Sequence, residues 1–187
     1  MKTYIALFRG INVGGKHILP MPALVAIFES LGLGDVKTYI QSGNAVFRCQ
    51  AENVGSLSAR IVAEINKRHG FEPQLLLLEL AELEKVVLAN PFPDAEAQPN
   101  TLHLNFLLFA PVNPNLPALD AIKKDSERFS LIDQVFYLHA PEGIGRSKLA
   151  AQAEKRLGVA MTSRNWRTVC KLMEFAKKMR LPNTANQ

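Results

Sequence analysis

The 187-residue sequence predicts an α+β chain built from two ferredoxin-like β-α-β-β-α-β halves related by duplication, with antiparallel sheets and helices packed on one face. Three observations predict it. Short apolar, β-rich runs alternate with helical stretches in that order twice. The tetrapeptides KRHG (67–70) and KRLG (155–158) each end the second helix of a half. A proline-rich segment, 90–101, lies between the two sets.

TYIALFR (3–9) reads as a buried strand stopped by Gly10. A glycine-rich loop runs to Pro20. Pro22, suited to a first helical turn, opens PALVAIFESLG, with Gly32 at its C-cap. VKTYI (36–40) and AVFRC (45–49) flank QSGN, where Gly43 and Asn44 can take positive φ. Leu57, Ile61, Val62 and Ile65 mark a second helix that closes at Gly70. QLLLLEL (74–80) is a strand apolar enough to be covered on both faces, and a helix spans about 81–89.

The second half repeats the order. A strand at 102–110 precedes a short helix over about 116–124. RFSLI (128–132) and VFYLH (135–139) form a hairpin across Asp133-Gln134. A helix covers 147–158, a short strand 159–162, and a long amphipathic helix 165–180. In that last helix Trp166, Val169, Met173 and Ala176 share one stripe, which is core packing. The expected units are therefore 1–89, a linker at 90–101, and 102–187. Residues 182–187 hold no core former and are expected to fray.

Composition bounds the function. Hydrophobic residues make up 48% and charged residues 21%, an ordinary globular balance. No apolar run approaches the roughly 18–20 residues of a membrane helix, and the N-terminus lacks a signal-peptide pattern. Cys49 and Cys170 stand in no metal or redox spacing and read as reduced thiols in or near a core. A cytoplasmic address and no membrane partner are expected. Net charge is +5, divided as +3 over 1–48, −5 over 49–141 and +7 over 142–187. That asymmetry favours an anionic partner.

GINVGGKH (10–17) fits the G-x-x-x-x-G-K of a phosphate-binding loop, but the chemistry does not follow. His17 replaces the hydroxyl that would hold Mg²⁺, and Pro20 and Pro22 break any helix begun at Lys16. GIGRSKL (143–149) and TSRNWRT (162–168) carry more. Each places cations at what reads as the first turn of a helix: Arg146 and Lys148 in one, Arg164 and Arg167 in the other. Cations there oppose the helix dipole by about 0.3–1 kcal/mol each, so an anion is expected to sit among them. The four histidines show no ligand spacing, and no nucleophile or acid–base pair stands out, so neither metal nor cofactor is expected and no catalytic residue is assigned.

YIALFRGINVGGK (4–16), VKTYIQSGNAVF (36–47), GIGRSKL (143–149) and SRNWRTVCKL (163–172) resemble the bacterial family called domain of unknown function 1697 over about residues 3–180. The resemblance implies two ferredoxin-like halves and no established activity. Its motif positions here are Arg9–Lys16, Gln41–Asn44, Gly143–Lys148 and Arg164–Arg167.

The expected ligand is an anionic small molecule or nucleotide on one basic face. Four segments would line that face: Arg9, Asn12, Gly14, Gly15 and Lys16; Gln41, Ser42 and Asn44; Gly145, Arg146, Ser147 and Lys148; and Arg164, Asn165 and Arg167. Nucleic-acid binding, or an enzyme acting on a phosphorylated substrate, is the alternative. The strands lack the aromatic pattern with which such sheets stack bases.

Overall fold

The computed structural model describes residues 1–180, so the tail at 182–187 lies outside the described residues. The chain divides into two compact units. The first comprises Met1–Glu84 with, among the described residues, 171–180, and the second is Lys85–Cys170.

The first unit holds β1 (Lys2–Arg9), α1 (Met21–Ser30), β2 (Gly34–Thr38), β3 (Asn44–Cys49), α2 (Val54–His69) and β4 (Gln74–Glu79). Its sheet has the order β2-β3-β1-β4 with antiparallel neighbours throughout. After α3 (Leu80–Leu88), the second unit holds β5 (Leu102–Leu107), α4 (Leu116–Asp120), β6 (Arg128–Ile132), β7 (Val135–His139), α5 (Lys148–Leu157) and β8 (Met161–Asn165), followed by α6 (Trp166–Arg180). Its sheet order, β6-β7-β5-β8, repeats the first. Two β-α-β-β-α-β units with antiparallel sheets are thus present.

Side-chain alternation explains the layers. Tyr4, Ala6 and Phe8 on β1 face α1 and α2 and pack with Phe28, Phe47, Leu57 and Ile61. The helix-facing row of the second sheet, Leu107, Phe136 and Leu138, packs with Leu149, Ala153 and Leu157 of α5. Ile5, Leu7 and Val46 point to the opposite face and are buried too. So are Leu104, Phe106 and Tyr137 in the second sheet.

Helix ends follow local chemistry. Asn53 caps α2 by accepting from the Ser56 N–H at 3.0 Å, and Ser147 caps α5 by accepting from Ala150 at 2.9 Å. Gly70 and Gly158 close these helices at φ of 75° and 72°.

Four expectations need correction. β4 is an edge strand, buried only at Leu77 and exposed at Gln74, because an apolar run does not reveal whether a neighbour pairs with its far side. The turn after β2 runs over 39–43 rather than Gln41–Asn44, because β2 ends at Thr38. Its left-handed positions are Ile40 (φ 49°) and Gly43 (φ 75°), while Asn44 already belongs to β3. β8 extends to Asn165 rather than ending at Thr162, since β5 pairs with it as far as His103. Cys49 is buried, but Cys170 is exposed.

The 90–101 segment is held to the second unit rather than left as bare linker. Phe92 and Ala95 are buried around a 3-10 turn at Pro93–Ala97. Arg128 clamps Asp94 with two hydrogen bonds, of 3.2 and 2.5 Å, lies over the Phe92 ring at 4.8 Å, and approaches His139 Nδ1 at 3.0 Å.

Candidate functional site

In the first unit the sequence motifs build a scaffold. Val13 and Lys16 bracket a two-residue turn in which Gly14 (φ 59°) and Gly15 (φ 73°) are both left-handed, closed by Lys16 N–H to Val13 O at 3.1 Å. Asn12 is the clamp. Its Nδ2 donates to the carbonyls of Leu19 and Gln41, each at 2.9 Å, and its Oδ1 accepts from the Leu19 N–H at 2.7 Å. That one carboxamide joins the loop after β1 to the turn after β2, bringing Arg9–Lys16 and Gln41–Asn44 together. Arg9 donates to Gln74 Oε1 at 3.3 Å. His17 lies 3.2 Å from the Gly10 carbonyl and stacks on Phe71 at 4.7 Å. Asn44, fully buried, donates to Tyr39 O and Ser42 Oγ. No helix starts at Lys16: α1 begins only at Met21, after Pro20.

In the second unit the motifs converge on one end of the sheet. Gly143 (φ 85°) leads into a 3-10 turn at Ile144–Arg146, which contains Gly145, then the cap Ser147 and Lys148, first residue of α5. Asn165 ends β8, and its Oδ1 accepts from the Thr168 N–H at 2.9 Å, so it caps α6. The short segment Pro99–Thr101 is bonded to the start of α6 and to the residue that follows β7. Pro99 O accepts from the Arg167 N–H at 3.4 Å, and Thr101 O accepts from the Ala140 N–H at 2.8 Å. Arg146, Lys148 and Arg167 are therefore gathered at the end of the sheet where β5 begins and β7 and β8 stop. All three are exposed. Their side chains have no hydrogen bond or carboxylate partner among the described residues. Neither α5 nor α6 has an acidic residue in its first turn.

Arg164 departs from expectation. It lies on β8 opposite Leu104, not in a helical first turn, and is 8% exposed. Its guanidinium donates to Thr162 Oγ1 and the Ser163 carbonyl, both at 2.8 Å, and burial pushes its pKa down to about 10. The dipole reasoning fails for this residue because β8 runs through it.

Sequence reasoning also missed His103. It sits on β5 directly across from Asn165, on the helix-covered face, 8% exposed. Its Nε2 is buried without a hydrogen-bond partner, and burial holds its pKa below 6.5, opposed by the Asn100 backbone. The duplication supplies the only sequence signal. Counting back four residues from Phe8 and Leu107, whose N–H groups bond Gly43 O and Gln134 O, gives Tyr4 and His103. The Tyr4 hydroxyl is likewise buried and unpartnered.

Other titratable groups are accounted for structurally. Asp94 is held below the usual carboxylate range by its hydrogen bonds from Arg128, while burial, then Arg128, lowers His139. The Cys49 thiol donates to Glu52 at 3.1 Å and is pushed up to about 11 by burial. No group of three metal-ligating side chains occurs among the described residues.

The fold is shared with a solved structure. The conserved bacterial protein SP0830 from Streptococcus pneumoniae superposes with a TM-score of 0.73 at 22% identity, covering 94% of this chain and 98% of that one. At that identity the likeness speaks to fold alone. No curated protein is similar to the chain. Residues 1–137, most of the chain, match the family described as "Protein of unknown function (DUF1697)", and the chain belongs to that family.

Proposed function

We propose that the chain is a cytoplasmic protein that binds a phosphate-bearing small molecule, such as a nucleotide, at the end of the second unit where α5 and α6 begin. One observation carries the proposal: Arg146, Lys148 and Arg167 stand without partners at two helix starts on the same end of the second sheet. The first-turn N–H groups and the dipole of each helix add to the attraction for an anion. Asn165 and Ser147 already spend their side chains on capping, so they position this site rather than contact the ligand. Nucleic-acid binding has less support, because both faces of the central strands are buried and offer no open sheet on which bases could stack.

The test is thermal melting in phosphate and nucleotide titrations, with chloride holding ionic strength constant. Binding to the native state stabilises it by RT ln(1 + [L]/Kd), about 2.7 kcal/mol at a hundredfold excess over Kd. Arg146→Ala and Arg167→Ala should lower that response, and Arg→Lys should restore part of it, because a planar fork matches phosphate oxygens better than a point charge. Equal anion responses in wild type and both alanine variants refute the proposal.

A further inference from the structure

Exposed apolar side chains concentrate at one end of each sheet, opposite the end just described for the second unit. Val13, Ile18 and Ile40 stand 66%, 61% and 52% exposed on the connections after β1 and β2. Phe109 and Val112 are exposed on the connection after β5, the same position in the repeated order. In the first unit the three are held in one place. Asn12, next to Val13, bonds the carbonyls of Leu19, next to Ile18, and of Gln41, next to Ile40. Ile40 is also left-handed, at φ 49°, where a β-branched side chain is strained and Gly or Asn would be favoured. Strain on a residue whose side chain faces solvent contributes nothing to the core.

The charge around these side chains is positive. Segments 9–20 and 39–44 contain Arg9 and Lys16 and no Asp or Glu. The last turn of α2, which ends at the same end of the sheet, adds Lys67, Arg68 and His69, against exposed Glu72 and against Glu64, which pairs with Arg68 at 2.6 Å and with Lys67, itself 77% exposed, at 3.8 Å. We propose that this end of the first unit docks on an anionic lipid surface. Val13, Ile18 and Ile40 would enter the headgroup–acyl boundary, with Lys16 and Lys67 at the lipid phosphates. A second copy of the chain would set Lys16 against like charge, and a nucleic acid would meet aliphatic tips that stack poorly on bases, the His17 ring beside them being already stacked on Phe71. No helix among the described residues is long and apolar enough to cross a membrane, which bears on spanning and not on docking. The surface uses none of the residues of the anion site proposed above, so either can fail alone.

The experiment is co-sedimentation of the full chain with vesicles of phosphatidylglycerol and phosphatidylcholine, and of phosphatidylcholine alone. Two variants are compared, Val13→Ser/Ile18→Ser and Ile40→Asn, each checked by melting; Ile40→Asn relieves strain and should fold at least as well as wild type. Wild type should pellet with the anionic vesicles, weaken as salt rises, and bind at least about tenfold better than Val13→Ser/Ile18→Ser, since branched apolar groups are replaced by polar ones. Absence of pelleting with phosphatidylglycerol, or equal pelleting of wild type and variants, overturns the proposal. So does a concentration-dependent dimer, or saturable oligonucleotide binding, that the same variants abolish, because either assigns the surface to another occupant.

Discussion

Gly43→Ala probes the turn that presents Gln41 to Asn12. Gly43 has φ 75°, and a Cβ there would lie 2.7 Å from Phe8 Cβ and 2.8 Å from Ile11 Cδ1. Ile11 Cδ1 ends a flexible side chain and can move. Phe8 Cβ cannot, because it sits on the central strand and the Phe8 N–H bonds the Gly43 carbonyl at 2.9 Å. Two penalties follow: about 1–2 kcal/mol for a left-handed residue with a Cβ, and about 1–3 kcal/mol for overpacking. Gly14→Ala is the control. Gly14 has φ 59° and nothing within 4 Å of an added Cβ, so it carries the first penalty alone. The loss of unfolded-chain freedom is the same in both variants and cancels. In urea, at constant m, Gly43→Ala should therefore lie below Gly14→Ala by about 1–3 kcal/mol, with a melting gap of about 2–4 °C per kcal/mol. Equal destabilisation of the two variants would show that β1 yields and that the turn is not locked to it.

Two further predictions concern buried groups. His103 has a pKa held below 6.5 by burial, so the unfolded chain binds its proton more readily than the folded one. Stability should fall as pH drops below 6.5 toward the folded value, and His103→Phe should flatten that part of the pH profile; an unchanged profile would place the titration elsewhere. With a thiol-specific reagent at neutral pH, exposed Cys170 should react before buried Cys49, whose pKa is about 11, and Cys170→Ser should remove the early phase. Early reaction that persists in Cys170→Ser would show that the Cys49 end of β3 opens readily.

Much of the fold was legible because its signals are local. The β6–β7 hairpin matches the expected boundaries residue for residue, and Gly70 and Gly158 terminate α2 and α5 as their basic, glycine-ended sequences predict. The failures depend on partners far along the chain. Thr162-Ser163-Arg164-Asn165 has the composition of a helix lead-in, yet β5 recruits it into the sheet some sixty positions upstream. The loop after β1 reads as a possible anion cradle, whereas Asn12 spends its carboxamide on a turn 29 positions away. Asp94 reads as linker until Arg128 is placed beside it.

The duplication gives the candidate site an internal control. Features shared by both units can be assigned first to making the fold, and features found in one unit are left for something else. The basic last turns of α2 and α5 are shared and favour their own helix dipoles, so they stabilise the fold in both units. The starts of the same two helices differ. α2 begins from Asn53 with Val54, Gly55 and Ser56 and has no cation in its first turn. α5 begins from Ser147 with Arg146 and Lys148 on either side, where each opposes the dipole. The cap is conserved in kind, Asn in one unit and Ser in the other, so the fold does not require the cations. The strand beneath, by contrast, carries a buried unsatisfied polar atom in both units. Tyr4, stacked at 5.6 Å on Phe47, holds an unpartnered hydroxyl, and His103, between Leu138 and Asn165, a bare ring nitrogen. Unfavourable charge has thus accumulated at one end of one unit, and the matching end of its twin shows that the fold does without it.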